Sequence, residues 1–195
     1  MSIALIGQVG RGKAVLRSGA QAGDAIYVSG TLGDAALGLA VLKKDIASRL
    51  TSAERDYLID RYRIPQPRIA LGQKLVGIAQ AMIDISDGLL ADLAHLCMAS
   101  NLRGVIRQAE LPLSPAARTV VSANPRFNAA VTSGGDDYEL LFTAPRAAAD
   151  AIAKAAESCG IAVTAIGAME KGAGVALLDA AGQPVKIENL GYAHF

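Results

Sequence analysis

Two acidic clusters hold the residues of this sequence that could do chemistry. The first is Ile83-Asp84-Ile85-Ser86-Asp87-Gly88-Leu89-Leu90. Asp84 closes a short apolar run that reads as a strand, and Asp87 stands where a helical pattern begins. Two carboxylates three residues apart across a strand-to-helix turn can converge on one hard cation, with waters and phosphate oxygens completing its shell. Ser86 lies where a hydroxyl and the free N–H groups of a helix start can meet an anion. Capping explains one of these acids. It does not explain Asp84 at the end of a buried strand, where an unpaired carboxylate costs on the order of several kcal/mol.

The second cluster is Thr132-Ser133-Gly134-Gly135-Asp136-Asp137-Tyr138-Glu139-Leu140-Leu141-Phe142-Thr143. Its two glycines let the backbone come close to a ligand, although Gly-Gly-Asp is also ordinary turn chemistry. The strand that follows alternates, with Tyr138, Leu140 and Phe142 on one face and Glu139 and Leu141 on the other. Asp136, in the loop, is the acid free to reach a site, while Asp137 caps or pairs internally. Asp92 and His95, one helical turn apart, read as a surface or capping contact rather than a metal pair.

A third stretch imitates a phosphate loop. Gly7-Gln8-Val9-Gly10-Arg11-Gly12-Lys13 fits the glycine and lysine spacing, but the next residue is Ala14, where magnesium needs a Ser or Thr hydroxyl. It reads as a Gly-rich turn. With His limited to His95 and His194, and no C-x-x-C, nucleophilic and zinc chemistry have little support. Acids, Gly turns and helix starts point to a magnesium-phosphate site.

The elements that must position these clusters follow from period and punctuation. Residues 3–6 and 24–30 read as strands, and a helix runs from Asp34 to about Leu50. Thr51 with Glu54 forms a capping box for a second helix to about Tyr62. Arg63-Ile64-Pro65-Gln66-Pro67 breaks it, giving a seam between an arm (residues 1–62) and a body (residues 63–195). A helix over 68–80 leads into a strand at Ala81–Ile85, and Asp87 opens a helix to about Asn101. Alternating strands and helices continue to Ile166, and terminal strands near 175–178 and 185–187 close the pattern. The first-choice architecture is an α+β two-layer sandwich, and the second a doubly wound sheet.

Composition narrows the class. The chain has 195 residues, 19 Lys plus Arg against 18 Asp plus Glu, 52% hydrophobic and 19% charged residues, so it is too apolar for disorder. Near-zero net charge argues against a nucleic-acid binder. No apolar run reaches the length of a membrane span. Cys97 and Cys159 match no redox or metal spacing and read as reduced packing residues. The expectation is a cytoplasmic protein without nucleic-acid or membrane partners.

Taken in order along the chain, Leu16-Arg17-Ser18-Gly19-Ala20-Gln21-Ala22-Gly23-Asp24, Val28-Ser29-Gly30-Thr31-Leu32-Gly33-Asp34, Pro65-Gln66-Pro67-Arg68, the Ile83 to Leu89 turn, the Ser133 to Phe142 stretch and the ending Gly191-Tyr192-Ala193-His194-Phe195 resemble the thiamine-monophosphate kinase family. That family lies within the aminoimidazole ribonucleotide synthetase-like ATP-binding superfamily. The resemblance implies a C-terminal-domain-like mixed sheet with helices on one face. It implies ATP- and magnesium-dependent phosphorylation of thiamine monophosphate to thiamine diphosphate. By resemblance Asp84 and Asp87 would hold magnesium, and Arg17 and Ser86 would contact ATP. Asp136 and Tyr192 would border the thiamine-phosphate pocket. No catalytic side chain beyond these is implied, since positioning and the metal carry the reaction. The family's N-terminal half has no counterpart here, so the chain is expected to be the C-terminal part of a homodimeric enzyme and inactive alone. A hydrogenase-maturation or selenophosphate-synthesis type of enzyme from the same superfamily is the alternative, and a non-catalytic interaction domain is the other.

Overall fold

In the strand β1 (Ala25–Ser29) every residue is buried. Ile26 and Val28 join one apolar cluster, and Ala25 and Tyr27 join another on the opposite face. A strand apolar on both sides belongs in the interior of a covered sheet. The computed structural model, which describes residues 4, 6–46, 50–187 and 189–191, places it there. The other strands are β2 (Ala81–Asp84), β3 (Arg103–Arg107), β4 (Leu140–Ala144), β5 (Val163–Glu170) and β6 (Gly174–Leu178), in the order β2-β4-β1-β5-β3-β6. All neighbouring pairs are antiparallel except β3 with β6. The strand expected at residues 3–6 rests on Ile3 and Leu5, which lie outside the described residues, as does Tyr192.

The helices are α1 (Asp34–Leu42), α2 (Ser52–Arg63), α3 (Ile69–Lys74), α4 (Leu89–Ser100), α5 (Pro115–Ala123), α6 (Asn128–Ser133) and α7 (Ala149–Cys159). The α+β fold with a mixed sheet is the one the sequence implies, and it excludes a doubly wound sheet. The helices, however, cover both faces rather than one. Leu89, Leu90, Leu93 and Leu96 of α4 pack with Ile26, Ile83 and Leu141. On the other face Leu71 of α3 and Ile152 of α7 pack with Tyr27 and Phe142, whose rings stack at 5.3 Å. The strands carry large apolar residues on both faces, and each face must be buried. Leu37, Leu58 and Val120 form a third cluster between α1, α2 and α5.

Strand β1 precedes the Pro65-Gln66-Pro67 seam, yet it lies between β4 and β5, which follow it. Arm and body therefore share one sheet. The capping box of α2 is present, with Thr51 and Glu54 bonded both ways. Helix α1 stops at Leu42 instead of near Leu50. Lys44 takes a left-handed conformation, and Asp45 N–H donates back to the Ala40 carbonyl, closing the end. The terminal strand expected at 185–187 is reduced to one bridge, Leu178 with Pro184, and a Val185 N–H bond to the Leu177 carbonyl. Cys97 packs in the core, where burial pushes its thiol up to about 11.

Candidate functional site

The two acidic clusters meet because β2 and β4 are antiparallel neighbours, so the turn leaving β2 and the loop entering β4 lie at the same end of the sheet. Asp84 pairs with Leu140 in the ladder. Beyond it the pairing continues irregularly. Ile85 N–H donates to the Glu139 carbonyl (2.8 Å), Tyr138 N–H to the Ile85 carbonyl (2.8 Å) and Asp136 N–H to the Ser86 carbonyl (2.9 Å). A Cβ on Gly135 would stand 2.5 Å from the Ser86 carbonyl oxygen, and one on Gly88 would stand 2.9 Å from the Ser133 backbone. These glycines permit the close approach of the two segments.

Asp84 and Asp136 are exposed, and Ser86 and Asp87 are half-buried. The burial argument for Asp84 does not hold, because its position at the mouth of the strand gives its carboxylate to solvent. Tyr138 is the residue that sequence reasoning misplaced. It does not open the strand but has φ of +51°, a strained conformation for an aromatic residue, after Asp136 at +69°. Its hydroxyl donates to Asp136 Oδ1 at 3.5 Å. Burial, then Asp136, then the charges of Asp84 and Asp87 raise its pKa. The phenol touches Asp136 alone, and the charges of Asp84 and Asp87 act on it from across the paired turn. No signal in the sequence predicts a left-handed tyrosine there.

Three other acids serve structure. Asp137 is buried, and its carboxylate accepts from Gly33 N–H (2.6 Å) and Ala35 N–H (3.2 Å) at the start of α1. Desolvation pushes its pKa up to about 7 against the pull of those two bonds. Glu139 is fully buried and bonds Arg61, Arg68 and Ser29. Asp92, 2% exposed, accepts through Oδ2 from the backbone N–H groups of Ser86, Asp87 and Gly88 at 3.0, 3.1 and 3.2 Å. The turn's amides, expected to meet an anion, are thus taken by the chain's own carboxylate. His95, one turn further along α4, is exposed.

Arg17 is exposed and stands beside the beginning of β2, where Met82 N–H donates to the Leu16 carbonyl and Ser100 Oγ to the Arg17 carbonyl. Two residues of strand, about 7 Å, separate this level from Asp84. Residues Gly10 to Lys13 form an exposed turn closed by Lys13 N–H to the Gly10 carbonyl, with no strand before it among the described residues.

Among the described residues no three Asp, Glu, His or Cys side chains stand close enough to hold a metal by themselves. The oxygen donors present suit magnesium, which is commonly bound by one or two carboxylates together with substrate phosphates and waters. Among the described residues no helix is long and apolar enough to cross a membrane.

This mixed sheet with a paired acidic turn and loop defines a domain class. Residues 21–180 match the family AIR synthase related protein, C-terminal domain, and the chain belongs to it. The whole chain is 40% identical to the thiamine-monophosphate kinase of Escherichia coli K12 and 35% identical to that of Caulobacter vibrioides, spanning 59% and 54% of their lengths. The crystal structure of thiamine-monophosphate kinase from Stenotrophomonas maltophilia K279a superposes with a TM-score of 0.82 at 40% identity, over 91% of this chain and 56% of that one. AaThiL complexed with AMPPCP and TMP superposes at 0.75 and 34% identity, over 93% and 54%. A hydrogenase maturation protein of Escherichia coli, at 24% identity and a TM-score of 0.70, shares the fold.

Proposed function

We propose that this chain is the C-terminal part of a thiamine-monophosphate kinase, which transfers the terminal phosphoryl group of ATP to the phosphate of thiamine monophosphate and yields thiamine diphosphate and ADP. The observation that carries this reading is the backbone pairing of the Asp84–Asp87 turn with the Asp136 loop at one end of the sheet, in a chain 40% identical to such a kinase.

Asp84 and Asp87 would hold magnesium, which when bound offsets the charge of crowded phosphates. Ser86 would donate its hydroxyl to the nucleotide, and Asp136 with Tyr192 would border the thiamine phosphate. Arg17, at the level of Met82, meets the same nucleotide only if its phosphates lie along the outer edge of β2. The acceptor oxygen is already anionic near neutral pH, so no strong base is needed and positioning does most of the work. The exposed Ile6, Val9 and Leu16 support a further part of the protein packing against this end of the chain. The whole protein is read as a cytoplasmic homodimer.

The test joins this chain to the N-terminal part of the Stenotrophomonas maltophilia relative. With ATP, magnesium and thiamine monophosphate, the folded chimera should release ADP and thiamine diphosphate in equal amounts, while the 195 residues alone should show no turnover. ADP release without thiamine diphosphate would overturn the substrate assignment. A folded chimera with no turnover on either would overturn the kinase reading.

A further inference from the structure

The Ser86-Asp87-Gly88 turn is a run of successive backbone N–H groups at a strand-to-helix junction, a geometry that binds anions. Here the anion is internal. One oxygen of Asp92 accepts all three N–H groups, at 3.0, 3.1 and 3.2 Å, and the side chain is 2% exposed. Asp92 sits on α4, whose Leu89, Leu90, Leu93 and Leu96 are locked in the core. The carboxylate is therefore fixed to the rigid body of the fold, and the turn hangs from it. The Ser86 carbonyl in turn accepts from Asp136 N–H at 2.9 Å, so the turn's conformation is passed on to the second acidic loop.

We infer that Asp92 is the positioning residue of the site, filling the amide nest of the Ser86–Gly88 turn so that this turn faces its ligand with the side chains of Ser86 and Asp87 and not with backbone N–H groups. The inference rests on the metal reading above only for its effect on cation binding; its effect on the turn stands by itself. It assigns Asp92 no contact with substrate. It also accounts for an acid buried beside other acids, since a carboxylate sharing three N–H bonds satisfies donors that nothing else on the turn would meet.

Asp92→Ala removes the acceptor and leaves three amide donors open. Asp92→Asn keeps an oxygen in place. Asp92→Glu keeps the charge but moves it by one methylene. The experiment uses the 195-residue chain, with amide hydrogen exchange by NMR and paramagnetic broadening by Mn2+ as a magnesium substitute.

Asp92→Ala should lose exchange protection at Ser86, Asp87 and Gly88, shift the Asp136 amide, and bind Mn2+ about tenfold or more weakly. Asp92→Asn should restore both readouts most of the way, which a purely electrostatic role would not allow. If Asp92→Ala does not fold, Asp92→Glu replaces it, with the same losses expected in smaller degree. Unchanged protection at the three amides overturns the inference, and so does unchanged Mn2+ affinity in a chain that binds Mn2+. If the wild type shows no broadening near Asp84 and Asp87, or Asp84→Asn shows the same broadening as wild type, the metal reading fails, and the exchange measurement alone decides the role of Asp92.

Discussion

Glu139 Oε1 accepts from Arg61 Nη2 at 3.0 Å, and both side chains are buried. The same carboxylate is held by Arg68 and by the Ser29 hydroxyl, and Arg61 Nη2 also donates to the Asp137 carbonyl at 3.1 Å. One acid thus ties α2, the segment after the two prolines, β1 and the start of β4 together, directly behind the Asp136–Tyr138 loop. Removing the acid leaves two cations facing a low-dielectric interior, whereas removing Arg61 leaves Glu139 still paired with Arg68.

Glu139→Gln should therefore lower stability by about 3–5 kcal/mol. Arg61→Met should lower it by less, because Arg61 Nε and Nη1 are buried without a hydrogen-bond partner among the described residues and their desolvation is relieved. Urea unfolding of the two variants beside wild type checks the order. A larger loss in Arg61→Met would show that Arg61, not Glu139, is the centre of the network.

What the sequence made legible was local. Thr51 and Glu54 announce α2, and the apolar runs of β1 and β2 define their strands, because a cap or a strand pattern needs only near neighbours. The acidic turn and loop were legible as candidates for the same reason. What escaped depends on contacts distant along the chain. Tyr138 takes a left-handed backbone because the loop must pass Ile85 and Ser86, in the turn that follows another strand. Asp92 is paired with donors four to six residues earlier, across a turn, so its spacing to His95 was a distraction. Helix α3 stops short of Gln80, with Gly77 turning left-handed at φ +82°, and the six residues of α6 are too few to show a period. Helices on both faces follow from Tyr27 and Phe142, whose burial demanded α3 and α7.

Asp137 gives the stability a pH dependence of definite sign. Its pKa rises from 3.8 in the unfolded chain to about 7 in the folded one, so between those values the native state holds a proton that the unfolded state has lost. Stability from this group declines as pH rises through the window, by at most about 1.4 kcal/mol per pH unit, and is constant above it. Asp137→Asn cannot ionise and keeps an oxygen for the Gly33 N–H. Relative to wild type it should gain stability from pH 4.5 to about 7 and level off above that. Urea midpoints across that range would show a flat difference if Asp137 is ionised throughout.

Gly135 offers a test of the contact between the two loops. A Cβ there would lie 2.5 Å from the Ser86 carbonyl oxygen, the acceptor for Asp136 N–H. The overlap is with backbone, so neither segment can yield by rotating a side chain. Gly135→Ala should lower stability by about 1–3 kcal/mol and shift the amide resonances of Asp87 and Asp136 together. Gly7→Ala, where a Cβ meets nothing within 4 Å, is the control and should leave both unchanged.

Asp84 and Asp87 can be separated from the fold because neither lies in the core. Asp84 is exposed at the mouth of β2 and Asp87 is half-buried on the turn, so replacing each carboxylate by its amide keeps shape and should change stability by about 0.5 kcal/mol or less at Asp84. The charge lost is the one a hard cation requires, and an amide oxygen is a weaker ligand for it. In the chimera with the N-terminal part of the Stenotrophomonas maltophilia relative, Asp84→Asn and Asp87→Asn should each reduce thiamine diphosphate formation by about two orders of magnitude or more at saturating magnesium, with thermal unfolding unchanged for Asp84→Asn. A reduction that added magnesium reverses completely would place the acids in cation affinity alone. Turnover near wild type in both variants would remove them from the site and leave Asp136 as the only acid of the three with a claim on it.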